Sequence, residues 1–70
     1  MDFYVQDHGT MWTVTALSDE AKEKLEGHPS FVGDWRPTWH YCQELRAEGY
    51  TFGASSPTAK SLIETGRPWS

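Results

Sequence analysis

The stretch Phe3-Tyr4-Val5-Gln6-Asp7-His8-Gly9-Thr10-Met11-Trp12-Thr13-Val14 constrains this chain more than any other. Two runs with side chains alternating in polarity flank a glycine, as two half-buried strands joined by a tight turn would. With His8-Gly9 as a two-residue loop, Asp7 faces Thr10, Val5 faces Trp12 and Phe3 faces Val14. Those apolar side chains then share one sheet face, while Gln6 pairs with Met11 and Tyr4 with Thr13 on the other. A slip of one residue would move one strand's set to the wrong face. A four-residue loop from Asp7 to Thr10 keeps the same pairing, so the turn type stays open. Gly9 supplies the positive φ that such corners need.

The rest of the chain reads as short helices with one more strand. Ser18 is a good N-cap, followed by Asp19 and Glu20 at the positive end of a helix dipole. Leu17, Ala21 and Leu25 form a narrow apolar stripe, and Gly27 stands where a C′ residue is expected. His28 to Asp34 reads as a loop pinned by Phe31 and Val32. Trp35-Arg36-Pro37 reads as extended, because a residue before proline avoids the helical region. Thr38 then caps a second helix over 39–48, with Trp39, Cys42 and Leu45 inward and Gly49 at its end. Tyr50-Thr51-Phe52 is β-prone and suits a third strand beside the hairpin. Ser56 and Pro57 open a last helix with Ala59, Leu62 and Ile63 inward, stopped by Gly66 and Pro68. Trp69 is expected to dock back on the body. The expected fold is a single α+β domain over residues 1–70. Its antiparallel sheet of about three strands, the N-terminal hairpin plus a short later strand, is packed by two or three short helices.

Size and charge narrow the function classes. Seventy residues form one domain. Ten acidic against six basic residues give a formal charge of −4. Non-specific nucleic-acid binding, which needs clustered Lys and Arg, is therefore not expected, nor is an anionic membrane surface. No apolar run approaches the length of a membrane span. Cys42 is the one cysteine, so no disulfide closes within the chain. The expected compartment is the cytoplasm.

The order of hairpin, capped helix and Trp35-Arg36-Pro37-Thr38-Trp39-His40-Tyr41 to Gly49 resembles a group of short, uncharacterised bacterial and phage proteins. Their pattern is an extended run, His-Gly-Ser/Thr, a second apolar run, a Ser/Thr-Ala helix, a Trp/Gly loop and a Tyr-bearing helix ending in Gly. His8, Gly9, Thr10, Ala21, Gly33, Trp35, Tyr41 and Gly49 carry the match over residues 2–53. The first helix-to-loop segment is short here, and His40-Tyr41 stands where the group has Arg-Tyr. The resemblance implies genes that travel with phages and mobile elements. It brings no activity, cofactor or catalytic residue.

Each candidate site has a plainer structural reading. Asp7 and His8 could be a base with its orienting carboxylate, but adjacent in a turn they are better read as turn chemistry. His40, Cys42 and Glu44 are metal-capable, yet Cys42 points away from the face that His40 and Glu44 share. Gly53-Ala54-Ser55-Ser56 leads into a helix N-terminus but lacks the spacing and lysine of a phosphate loop. Trp35, Arg36, His40 and Tyr41 combine the residue types that dominate protein interfaces. Trp39 is read as core, and Trp35 is divided between core and interface. Asp19, Glu20 and Glu23 form an acidic stripe that is a solvated face or a surface for a basic partner. The function expected is protein binding without catalysis, cofactor or metal. The expected partner is a host protein, modulated by an accessory protein of phages or mobile elements, with the blocking of a defence system as one form of that modulation. The binding residues are Trp35, Arg36, His40, Tyr41, His8, Asp19, Glu20 and Glu23. The alternatives are a self-associating module that forms a homodimer, or a small metal-dependent enzyme.

Overall fold

The structure is a computed structural model, and it describes residues 1–66. Strands β1 (Phe3–Asp7) and β2 (Trp12–Ala16) form the expected antiparallel hairpin. The pairing is Phe3 with Ala16, Val5 with Val14 and Asp7 with Trp12. This differs by two residues from the expected register, because the loop is His8–Met11. A shift of two leaves side-chain parity intact. Phe3, Val5, Trp12 and Val14 accordingly all lie on one buried face, as the alternation requires.

The sheet has four strands in the order β3-β2-β1-β4, and it is mixed where a three-stranded antiparallel sheet was expected. Strand β3 (Ser30–Gly33) pairs antiparallel with β2 inside the segment read as a loop. Strand β4 (Phe52–Ala54) pairs parallel with β1, on the opposite edge. In β3, Phe31 opposite Val14 joins the core, while Val32 points the other way and is 55% exposed.

Among the described residues, three helices cover one face of this sheet. Helix α1 (Asp19–Lys24) starts at Ser18, whose hydroxyl accepts the Ala21 N–H at 3.1 Å. Ala21 and Leu25 reach the core, whereas Leu17, expected in the same stripe, is half exposed. Both Glu26 and Gly27 take positive φ as the chain leaves α1, so the turn begins one residue before the glycine. Helix α2 (Trp35–Ala47) begins four residues earlier than expected, with Asp34 as N-cap. Trp35-Arg36-Pro37 is its first turn, where a proline costs little because the early N–H groups lack helical partners anyway. Thr38 is consequently an internal residue rather than a cap. It is fully buried, and its hydroxyl donates to the Asp34 carbonyl at 2.8 Å. Helix α3 (Pro57–Thr65) has the expected Ser56 cap and Pro57 start, and Gly66 closes it with φ 79°. A Cβ at Gly66 would also collide with the Trp39 indole, so glycine is needed there twice over.

One cluster unites the layers. Phe3, Val5, Trp12 and Val14 from the sheet meet Ala21, Leu25, Cys42, Leu45, Ala59, Leu62 and Ile63 from the helices. Each large side chain so buried contributes about 1.5–3 kcal/mol. Phe52 stacks on Phe3 at 5.1 Å, and Tyr50 meets the same ring edge-on at 5.6 Å. Among the described residues, no helix lies over the other sheet face, which carries Tyr4, Gln6, Thr13, Thr15 and Val32. No helix among the described residues is long and apolar enough to cross a membrane. Trp69 lies outside the described residues.

Candidate functional site

At the hairpin tip the backbone claims the Asp7 carboxylate. Its Oδ1 accepts the Gly9 N–H at 2.8 Å, and the His8 N–H donates to the Met11 carbonyl at 2.9 Å. Gly9 sits at φ 89°. This is an Asx-type turn. His8 is carried, exposed, at its apex.

The start of α2 presents the residues read as an interface. The Arg36 guanidinium lies 5.2 Å from the centre of the Trp35 ring, within cation–π range. Arg36 is exposed, while Trp35 is half-buried and packs its other side on the core. One turn on, His40 is exposed and its ring lies 4.8 Å from that of Trp39. Trp39, expected as core, is only partly so: it is half-buried, and its Nε1 is enclosed with no hydrogen-bond partner among the described residues. Arg36 and His40 are thus displayed together on a helix turn whose two tryptophans are anchored below.

Tyr41 is placed differently. Its ring packs against Phe31 at 5.0 Å, and its hydroxyl donates to the Lys24 carbonyl at 2.9 Å. Burial, followed by the nearby Glu26 and Glu44 charges, pushes its phenol up. The residue is a strut joining β3, α2 and the end of α1, with its ring half-hidden.

Cys42 faces the opposite way from His40. It is fully buried, and burial pushes the thiol up to about 12. Among the described residues, no three His, Cys, Asp or Glu side chains converge as metal ligands would.

The acidic stripe of α1 divides between structure and solvent. Glu20 accepts the Tyr50 hydroxyl at 3.2 Å. Desolvation and then this bond push the Tyr50 phenol up. Lys24 pairs with Glu48 at 2.6 Å, which raises its own pKa, and sits 5.8 Å from the Tyr50 ring centre. Asp19 and Glu23 are exposed. Glu20 therefore fastens α1 to the segment before β4, and the acidic surface is narrower than the sequence suggests.

A further concave feature was not foreseen. An open groove of about 870 Å³ runs between the edge strand β4, helix α3 and the last turn of α2. Phe52, Ala54 and Ile63 line it together with Arg46 and Lys60. Arg46 reaches it from α2 and is fixed by donating to the Ile63 carbonyl. Ser56, at the head of α3, spends its hydroxyl on the Ala59 N–H at 3.2 Å, as a helix cap does. The groove was invisible in the sequence because it exists only once β4 lies parallel to β1. Arg46 and Lys60 are otherwise ordinary exposed helix cations.

Compared with protein-family models, with curated proteins and with solved structures, the chain matches none of them.

Proposed function

We propose that this chain is a protein-binding module that works without catalysis, through the turn of α2 that displays Arg36 and His40 above Trp35 and Trp39. The observation that carries this reading is the Arg36 guanidinium held over the half-buried Trp35 ring. An aromatic residue anchored in the core and a cation spread across it form a preorganised contact. Such a contact loses little side-chain freedom on binding, and Trp and Arg are the residues that most often dominate interface energies. The exposed His40 extends the polar surroundings, while the exposed acids Asp19 and Glu23 on α1 and His8 at the hairpin tip are separate exposed positions. Tyr41 ties the same helix to β3 and to the end of α1. The resemblance to short bacterial and phage proteins suggests the setting: a cytoplasmic accessory protein of phages or mobile elements that binds and modulates a host protein, such as a component of a defence system.

The test is a pull-down from host lysate with the wild-type chain and with Arg36→Ala and Trp35→Ala variants, each checked for folding by circular dichroism. A host protein retained by the wild type and lost by Arg36→Ala is the expected outcome. Folded variants that keep every partner would remove this surface from consideration.

A second reading, a homodimer, is favoured by the bare sheet face. Val32 is 55% exposed there, and the Met1 side chain, 71% exposed, lies over Gly53 beside Tyr4. Sedimentation equilibrium at high concentration decides it: a monomer throughout ends the homodimer reading.

A further inference from the structure

The parallel pairing of β4 leaves part of its backbone without a partner strand among the described residues. In a parallel ladder, alternate residues of a strand turn their N–H and C=O groups to the same neighbour. Phe3 N–H donates to the Thr51 carbonyl, and Ser55 N–H donates to the Val5 carbonyl. Thr51, Gly53 and Ser55 therefore serve β1, and the N–H and C=O groups of Phe52 and Ala54 point outward. Among the described residues no strand lies beyond them, since β4 is the edge of the sheet. Both residues line the groove along α3.

The groove is a positive spot on an acidic chain. Arg46 and Lys60 line it against one carboxylate, Glu64, while the whole chain carries −4. Arg46 is held by the Ile63 carbonyl, which leaves its remaining donors available. Phe52 and the nearly buried Ile63 give the same groove apolar lining.

We propose that this groove binds an extended segment of a partner protein that carries an acidic side chain. The segment adds as a fifth strand, exchanging hydrogen bonds with the outward groups of Phe52 and Ala54. Its side chains on the helix side alternate with those facing the bare sheet face. A carboxylate on the helix side lies between Lys60 and Arg46, and flanking apolar residues cover Phe52 and Ile63. The short edge and open groove fit a weak, reversible contact, distinct from the α2 surface and independent of it.

The experiment titrates the isotope-labelled chain with the synthetic pentapeptide acetyl-Val-Thr-Glu-Thr-Val-amide, followed by amide chemical shifts. Peptides with Gln or Lys in place of Glu are the controls. Saturable shifts at Phe52, Ala54 and Ser55 are expected, with affinity about tenfold lower for the Gln peptide and lower still for the Lys peptide. Ala54→Pro removes an outward N–H that β1 does not use, and it abolishes these shifts. Lys60→Glu, an exposed substitution, reverses the preference between the Glu and Lys peptides. The proposal is overturned by absent shifts, by shifts elsewhere, by equal affinity for the three peptides, or by undiminished binding to folded Ala54→Pro. Should Ala54→Pro unfold, an unchanged preference in Lys60→Glu overturns it alone.

Discussion

The two central strands and the two edge strands of this sheet are built on different terms. β1 and β2 send Phe3, Val5, Trp12 and Val14 into the core, all nearly or fully buried. β3 and β4 bury no residue completely: Phe31, Phe52 and Ala54 are half covered, and Val32 is exposed. The centre is held by apolar area that leaves water. The edges are held by backbone pairing and by ring contacts with other elements, such as Tyr41 on Phe31 of β3 and Phe3 on Phe52 of β4. The edges also keep backbone groups and side chains that the core does not consume, and the proposed strand addition draws on them. A small domain can thus keep its stability and its contacts in separate strands.

That contrast can be broken by substitution. Phe3→Ala should cost about 3–5 kcal/mol, comparable to the stability a chain of this size gains from its core. Urea denaturation should find it largely unfolded at room temperature. A loss no larger than that of an edge substitution would erase the distinction.

Cys42 tests the same interior through pH. Its folded pKa of about 12 lies above the unfolded value of 9.0. The stability linked to the buried neutral thiol is whole below pH 9 and is lost as pH rises through the folded value. Lys24, Tyr41 and Tyr50, all raised, act with the same sign. Denaturation midpoints should therefore fall across the alkaline range, and Cys42→Ala should flatten the fall. A midpoint that rises with alkaline pH contradicts the burial. Below pH 9 the native thiolate fraction should lie far below that of the urea-unfolded chain, and labelling by a thiol reagent should be correspondingly slow.

Edge substitutions come last. Tyr41→Phe removes the bond to the Lys24 carbonyl and should cost about 1 kcal/mol in thermal or urea unfolding. Val32→Ala should stay within about 0.5 kcal/mol of the wild type. A large loss there would mean that the bare sheet face is covered in solution, as in a dimer.

The same division explains what the sequence could tell. The hairpin was legible because alternation fixes parity, and parity survived even though the loop is His8–Met11 and the register moved by two. Ser18, Ser56-Pro57, Gly49 and Gly66 were legible because helix ends have local chemistry. Strand β3 was not, since Ser30-Phe31-Val32-Gly33 has no length or pattern apart from its pairing with β2. The first turn of α2 was misread because the bias before proline lost to helix continuation from Asp34. At the candidate surface, the sequence offers Arg36 and His40 only as residue types suited to an interface, and Tyr41's role as a strut depends on Lys24 and Phe31 being brought near. Arg46 and Lys60 were missed altogether, since only the parallel placement of β4 brings them to one groove.

Native-state amide hydrogen exchange tests the central claim most directly, because it reads the pairing of each strand residue by residue. The account predicts slow exchange at Val5, Val14 and Gly53, with fast exchange at Phe52 and Ala54 on the open edge. Protection of Phe52 and Ala54 equal to that of Gly53 in the isolated chain would contradict it.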